Sequence, residues 1–285
     1  MITVVSSAAK QVMIGDGLPT VLIGERINPS GKKIMTEALR ADDLEVVRKE
    51  ALAQVQAGAD ILDVNVNTFS VDEVAMLPRV TQAVMETVDV PLCLDSTNPE
   101  ALEAALKLYK GKPIINSVSG EEQSLDRILP LVREYGTVVI GLLQDDDGIP
   151  TDSERRLAVA RKIVERAEAA GIPREDIIID CLSLAIGVDV RAGLVTIETI
   201  QKIKATLGVN ITLGTSNISF GLPDRDLLNS TFLPIAIGAG VTCPIVDAAK
   251  VRPVVLATDL LLGRDKRGRR YIDAYKLRQL SKETS

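Results

Sequence analysis

PLCLDSTNPEALEAALKLY, residues Pro91–Tyr109, holds the unit from which the chain is built. A short apolar run, Pro91–Ser96, closes on polar residues, and Asn98–Tyr109 follows with the spacing of a half-buried helix. Either Ser96 or Asn98 can cap that helix, which leaves Asp95 at the strand end with no capping duty.

The unit recurs on both sides. Upstream runs are Val21–Asn28 and Ile61–Val66; downstream runs are Pro113–Val118, Thr137–Leu143, Ile177–Leu182, Asn210–Ser216 and Gly240–Asp247. Helical patterns alternate with them over Asp42–Ala57, Val71–Val88, Leu125–Tyr135, Asp152–Ala170, Val195–Leu207, Asp224–Ile237 and Pro253–Leu262. Gly58, Gly136, Gly171 and Gly208 each fall just past a helix, where a left-handed closing residue is wanted. Units of about 35 residues predict an α/β fold, a (β/α)8 TIM barrel with a short N-terminal extension (Met1–Thr20) and a C-terminal helical tail. An open doubly wound sheet fits less well, because no Gly-x-Gly-x-x-Gly loop follows any strand. One domain is expected over residues 1–285, with its core at about residues 21–262.

Composition agrees. Aromatic residues are 2% of the chain and Trp is absent, so the core must be aliphatic, as buried parallel strands require. A net charge of −6 argues against binding nucleic acid. No run reaches membrane-spanning length, and Cys93, Cys181 and Cys243 sit in apolar runs as reduced core thiols, so a cytoplasmic address is expected. The basic run Arg264–Arg270 reads as a solvated stretch or, less simply, a docking patch.

Histidine is absent altogether. That excludes Ser-His and Cys-His nucleophiles, His-based zinc sites and an axial imidazole for a corrinoid; no metal site is expected. Acid–base work is left to carboxylates, amides, hydroxyls or water.

In such a barrel the chemistry lies at the C-terminal strand ends. Those ends carry Glu25 and Asn28, then Asp63, Asn65 and Asn67, then Asp95, Asn116, Asp180, the Gly214-Thr215-Ser216-Asn217 turn and Asp247. Asp63, Asn65 and Asp247 read equally well as ligand contacts or as structural groups that cap the following helix or tie loops together. Asp180 follows three isoleucines and Asn116 follows two, which is harder to explain by capping. Few cations stand at the strand ends, so phosphate-bearing ligands look disfavoured. A flat heterocycle with several N–H donors and a carbonyl, such as a reduced pterin, matches the ring.

With these residues in order, the chain resembles the methyltetrahydrofolate:corrinoid protein methyltransferases and the pterin-binding domain of cobalamin-dependent methionine synthase. The resemblance is carried by Gly24-Glu25-Arg26-Ile27-Asn28, Cys93-Leu94-Asp95-Ser96-Thr97-Asn98, Ile115-Asn116-Ser117, Ile179-Asp180 and Gly214-Thr215-Ser216-Asn217-Ile218-Ser219. It implies that Asp95, Asn116 and Asp180 hold the pterin ring, that Gly214 and Ser216 line the same loop, and that Asn217 reaches the reacting nitrogen. It further implies methyltetrahydrofolate or tetrahydrofolate as substrate, a corrinoid (cobalamin) carried by a partner protein, and a homodimer. Asn217 is then the catalytic group, stabilising charge at N5 as the methyl departs. Departures from the pattern are Phe220-Gly221-Leu222-Pro223 after Ser219, Cys181 after Asp180, and the acidic stretch Gln144-Asp145-Asp146-Asp147. Dihydropteroate synthase is the competing enzyme family, but the basic and His residues it uses on diphosphate are missing here. A non-catalytic pterin-binding module is the competing reading from another class.

Overall fold

The structure, a computed structural model, describes residues 1–283. Its chain opens with an antiparallel hairpin, β1 (Ile2–Ser6) with β2 (Gln11–Gly15). Eight parallel strands follow: β3 (Ile23–Ile27), β4 (Ile61–Asn65), β5 (Leu92–Asp95), β6 (Ile114–Ser119), β7 (Val138–Leu142), β8 (Ile177–Asp180), β9 (Asn210–Thr212) and β10 (Ile245–Val246). They lie in the order β10-β3-β4-β5-β6-β7-β8-β9. Closure comes from short bonds between the last two in sequence: Thr242 N–H donates to Ile211 O (3.0 Å) and Ile245 N–H to Leu213 O (3.0 Å). The barrel read from the sequence is the fold found.

Two apolar layers explain why these runs are strands. Leu62, Leu92, Leu94, Ile115, Val139, Ile179 and Ile211 face outward into the larger core beneath the helices. Ile23, Ile61, Cys93, Ile114, Val138, Ile140, Ile178, Cys243 and Ile245 pack inside the barrel. With both faces buried, β-branched side chains are favoured at nearly every position.

The hairpin is the N-terminal extension, and its Val5, Val12 and Ile14 join the inner layer. Buried Asn210 at the start of β9 donates its amide to Thr3 Oγ1 (2.9 Å) and Ile14 O (3.1 Å). The hairpin therefore floors the N-terminal end of the barrel and leaves the opposite end as the mouth.

Helix boundaries follow their caps. Asp72, Asn98, Asp152 and Asp247 cap α3 (Glu73–Thr87), α4 (Pro99–Leu106), α6 (Ser153–Ala169) and α9 (Ala248–Leu261), each accepting from N–H groups of the first turn. Gly136 and Gly208 close α5 (Glu122–Tyr135) and α7 (Ala192–Leu207) at φ 61° and 67°.

Several boundaries differ from the sequence reading. A further helix, α1 (Lys33–Ala41), packs Met35, Ala38 and Leu39 on the core. Asp42 ends it in a left-handed conformation, so Asp43 rather than Asp42 caps α2 (Leu44–Gln56). The last two strands are shorter than expected, because the chain after β9 turns into a 3₁₀ segment, Thr215–Ser219, and Pro244 before β10 has no N–H to pair. After α8 (Arg225–Ala239), α9 begins ahead of Pro253 and contains it. The helical tail is α10 (Arg269–Glu283). The basic run before it is not simply solvated: Arg270 reaches buried Asp259 at 3.2 Å, and Asp259 also takes the Thr20 hydroxyl (2.7 Å) and N–H (2.9 Å). No helix of the described residues is long and apolar enough to cross a membrane.

Candidate active site

Strand parity decides which polar groups reach the interior. Successive side chains alternate, so Asp63, Asp95, Asn116 and Asp180 point the same way as Ile61, Cys93, Ile114 and Ile178, which pack inside the barrel. Register sets their spacing: Asp95 lies beside Asn65 on one neighbouring strand and Asn116 on the other, and Asp180 beside Leu142 and Thr212.

Hydrogen bonds fix the side chains. Asn65 Nδ2 donates to Asp95 Oδ2 (2.9 Å), Asn116 Nδ2 to Asp63 Oδ1 (3.1 Å), and Leu182 N–H to Asp180 Oδ1 (2.8 Å). Burial, reinforced by the negative charge of Asp95, pushes the Asp63 carboxyl well above the usual range, which favours its protonated form beside Asp95. Burial also pushes Asp95 up to about 6, against the bonds from Asn65 and Asp63. Asp180 rises to about 6 for the same reason, opposed by the Leu182 N–H and the Arg156 charge. At neutral pH the mouth thus presents two desolvated carboxylates with spare lone pairs. Such groups call for N–H donors from a ligand.

The turn after β9 completes the rim. A Cβ built on Gly214 would stand 3.2 Å from Asn217 Nδ2, so the missing side chain makes room for the Asn217 amide. Ser216 turns its carbonyl to Arg225 Nη2 (2.8 Å) and the Ser219 hydroxyl (3.2 Å), which holds the turn in place. Asn217 itself is exposed, and its side chain has no hydrogen bond among the described residues.

Other expected positions resolve differently. Asn98 is the cap of α4, accepting from Glu100 N–H (3.0 Å), while Ser96 bonds Glu73 (2.6 Å). Asp95 is thereby free of capping. Asp247 caps α9 and lies 3.7 Å from Arg26, and Asn67 is exposed outside the strand. Gly24 has a steric reason: a Cβ there would fall 2.5 Å from Gln54 Oε1, which accepts the Arg26 N–H (2.9 Å).

Cations, scarce at the strand ends, arrive on loops and helices. Lys32 donates to the carbonyls of Glu25 (2.8 Å) and Arg26 (3.3 Å). Burial raises Glu25 and lowers Lys32, so the pair forms a half-buried charged corner. Arg156 and Arg225 grip the loops after β8 and β9. A sequence pattern shows Arg156 only as one basic residue in the first turn of a helix, and nothing in it marks the residue as buried. Among the described residues no group of three His, Cys, Asp or Glu side chains is placed to hold a metal.

The comparisons with known proteins meet this geometry. A family model for pterin binding enzymes matches residues 24–247. The chain belongs to the pterin-binding enzymes. It is 33% identical over 263 residues to a methylcorrinoid:tetrahydrofolate methyltransferase of Eubacterium limosum, covering 90% of this chain and 96% of the relative. It is 34% identical to methionine synthase of Mycobacterium leprae over 83% of this chain, which spans only 21% of that enzyme. Its sequence kinship is thus with methyl-transferring members of the family. Among solved structures, dihydropteroate synthase of Thermus thermophilus, determined in complex with 6HMPPP, superposes with a TM-score of 0.70 at 23% identity, covering 90% of this chain and 99% of that one. The enzyme of Stenotrophomonas maltophilia gives 0.68 at 19%, covering 87% and 94%. At such identities these structures establish the shared barrel and nothing finer.

Proposed function

We propose that this enzyme moves a methyl group between N5 of methyltetrahydrofolate or tetrahydrofolate and the cobalt of a corrinoid carried by a partner protein. The observation that carries the reading is the inward pair of buried carboxylates, Asp95 and Asp180, in a chain with full-length similarity to a methylcorrinoid:tetrahydrofolate methyltransferase.

Asp95, Asn116 and Asp180 accept the ring and amino N–H groups of the pterin, and Asn116 retains amide capacity for ring nitrogen or carbonyl. Gly214 and Ser216 form the turn that brings Asn217 to the edge of the site. A tertiary amine leaves poorly, so N5 needs a proton or a strong hydrogen bond as the methyl departs. The unpaired Asn217 amide supplies that hydrogen bond, with water as the proton source, and it retains the same contact in the reverse direction.

A corrinoid supplies methyl-accepting or methyl-donating cobalt chemistry when its carrier docks. With no histidine in this chain, an axial imidazole must come from elsewhere. The mouth suits a broad, partly apolar visitor: Ile34, Phe69, Ile149, Val188, Val190 and Phe220, all in the segments after the strands, are exposed around it. On the outer wall, exposed Leu227, Ile235 and Leu261 of α8 and α9 fit burial against a second copy of this chain; sedimentation at micromolar concentration should then give a dimer.

The deciding experiment mixes the enzyme with methyltetrahydrofolate and Co(I) cobalamin, or a candidate carrier protein, and follows methyl–cobalt formation by absorbance. Turnover above the uncatalysed rate supports the reading. Tight folate binding without methyl transfer to any corrinoid would overturn it in favour of a binding module.

A further inference from the structure

Arg156 lies in the first turn of α6 and is 1% exposed. A buried guanidinium is costly unless paired, yet among the described residues no carboxylate stands within ion-pair distance of it. Instead its donors go to main-chain oxygens: Nε to Pro150 O (2.9 Å), and Nη1 to Cys181 O (3.0 Å) and Leu182 O (2.9 Å). These carbonyls belong to two different loops, those after β7 and β8. Both loops border the mouth.

The second loop is the important one. Leu182 takes a left-handed backbone conformation, φ 48°, unusual for a residue with a side chain. In that conformation its N–H donates to Asp180 Oδ1 (2.8 Å) while its carbonyl faces Arg156. Arg156 therefore holds the residue whose N–H aims the Asp180 carboxylate.

We propose that Arg156 is a positioning residue for pterin recognition, fixing the two loops so that the Asp180 carboxylate enters the mouth correctly turned. The proposal rests on the reading of Asp180 as a pterin contact. The charged and titratable groups facing Asp180 are Arg156 from α6, Asp95 from β5, and the Cys181 and Cys243 thiols; those facing Arg156 are Asp152, Asp180 and Cys181. Arg156 is the cation among them, so its removal leaves burial and Asp95 to push Asp180 upward unopposed except by the Leu182 N–H.

The test compares wild type with Arg156→Met and Arg156→Lys in two measurements: methyltetrahydrofolate affinity from about pH 5 to 8.5, and the Asp180 carboxyl titration by carbon NMR on the ligand-free protein. In Arg156→Met both acid midpoints should move up by about one pH unit, with folate affinity falling at least about threefold at about pH 6.5. Arg156→Lys should restore the midpoint but not full affinity, since a point charge cannot bridge three carbonyls. A folded Arg156→Met variant with unchanged midpoints overturns the proposal. If that variant fails to fold, Arg156→Lys decides: wild-type affinity at every pH overturns it, and reduced affinity with a retained midpoint supports it. A wild type that binds no folate would instead refute the pterin reading, and the ligand-free titration still judges the role of Arg156.

Discussion

Asn116 gives its side-chain N–H to Asp63 at 3.1 Å, reaching from β6 past β5 to β4. Because burial favours the protonated form of Asp63, this bond and its contact with Asp95 set the orientation of two mouth residues at once. Asparagine at position 63 has the same shape as the protonated acid, and can both accept from Asn116 and donate to Asp95. Asp63→Asn should accordingly bind methyltetrahydrofolate within about threefold of wild type, whereas Asp63→Leu should lose about tenfold or more. Calorimetric titration of the pair checks this; equal losses in both would mean that Asp63 works as a carboxylate.

Asp180 carries the sign of the pH dependence. Its folded value near 6 lies above the ordinary carboxylate value of about 4, so the native state binds the proton more tightly than the unfolded chain between those limits. That contribution to stability is present below about pH 4 and is lost as pH rises through about 6. Asp180→Asn should therefore stabilise the ligand-free fold at about pH 8 by up to about 3 kcal/mol, and chemical denaturation should show it. The same variant should lose most folate affinity. In wild type, folate binding should weaken as pH falls below about 6, where Asp95 and Asp180 take up protons.

The Asn217 amide is expected to act in the transition state more than in binding. Asn217→Ala should slow methyl transfer by about 10²–10³ while changing folate affinity only a fewfold. Gly214→Ala adds a Cβ 3.2 Å from the same amide, and should reproduce part of that loss without touching Asn217 chemically. Single-turnover kinetics beside equilibrium binding separates the two effects; a loss confined to affinity would reverse the assignment.

Gly24→Ala tests the first motif. Its Cβ would sit 2.5 Å from Gln54 Oε1 and displace the acceptor of the Arg26 N–H, costing about 1–3 kcal/mol in thermal or denaturant unfolding. Unaltered stability would mean that Gln54 has another low-energy rotamer.

The barrel was legible because β-branched runs and amphipathic helices alternate with little interruption, and the inward residues were legible because strand parity is a local property. Asp95, Asn116 and Asp180 all lie on strands whose preceding residues are buried. What the sequence hid depends on distant contacts. The hairpin over Ile2–Gly15 reads as a tail until Asn210 and the inner isoleucines meet it. Asp63 looked no different from a helix cap until Asn116 was found beside it. Arg156 carried no signal at all, since its partners are carbonyl oxygens that any residue could offer.

The hairpin beneath the barrel has a kinetic corollary for the proposed reaction. With Val5, Val12 and Ile14 packed into the inner layer at the floor, the two proposed reactants would both enter from the opposite end of the barrel. If the proposed reaction holds, the folate would settle before a bulky corrinoid carrier docks, and would leave only after that carrier has undocked. Initial-rate data should then show a compulsory sequence of entry and exit rather than a random one.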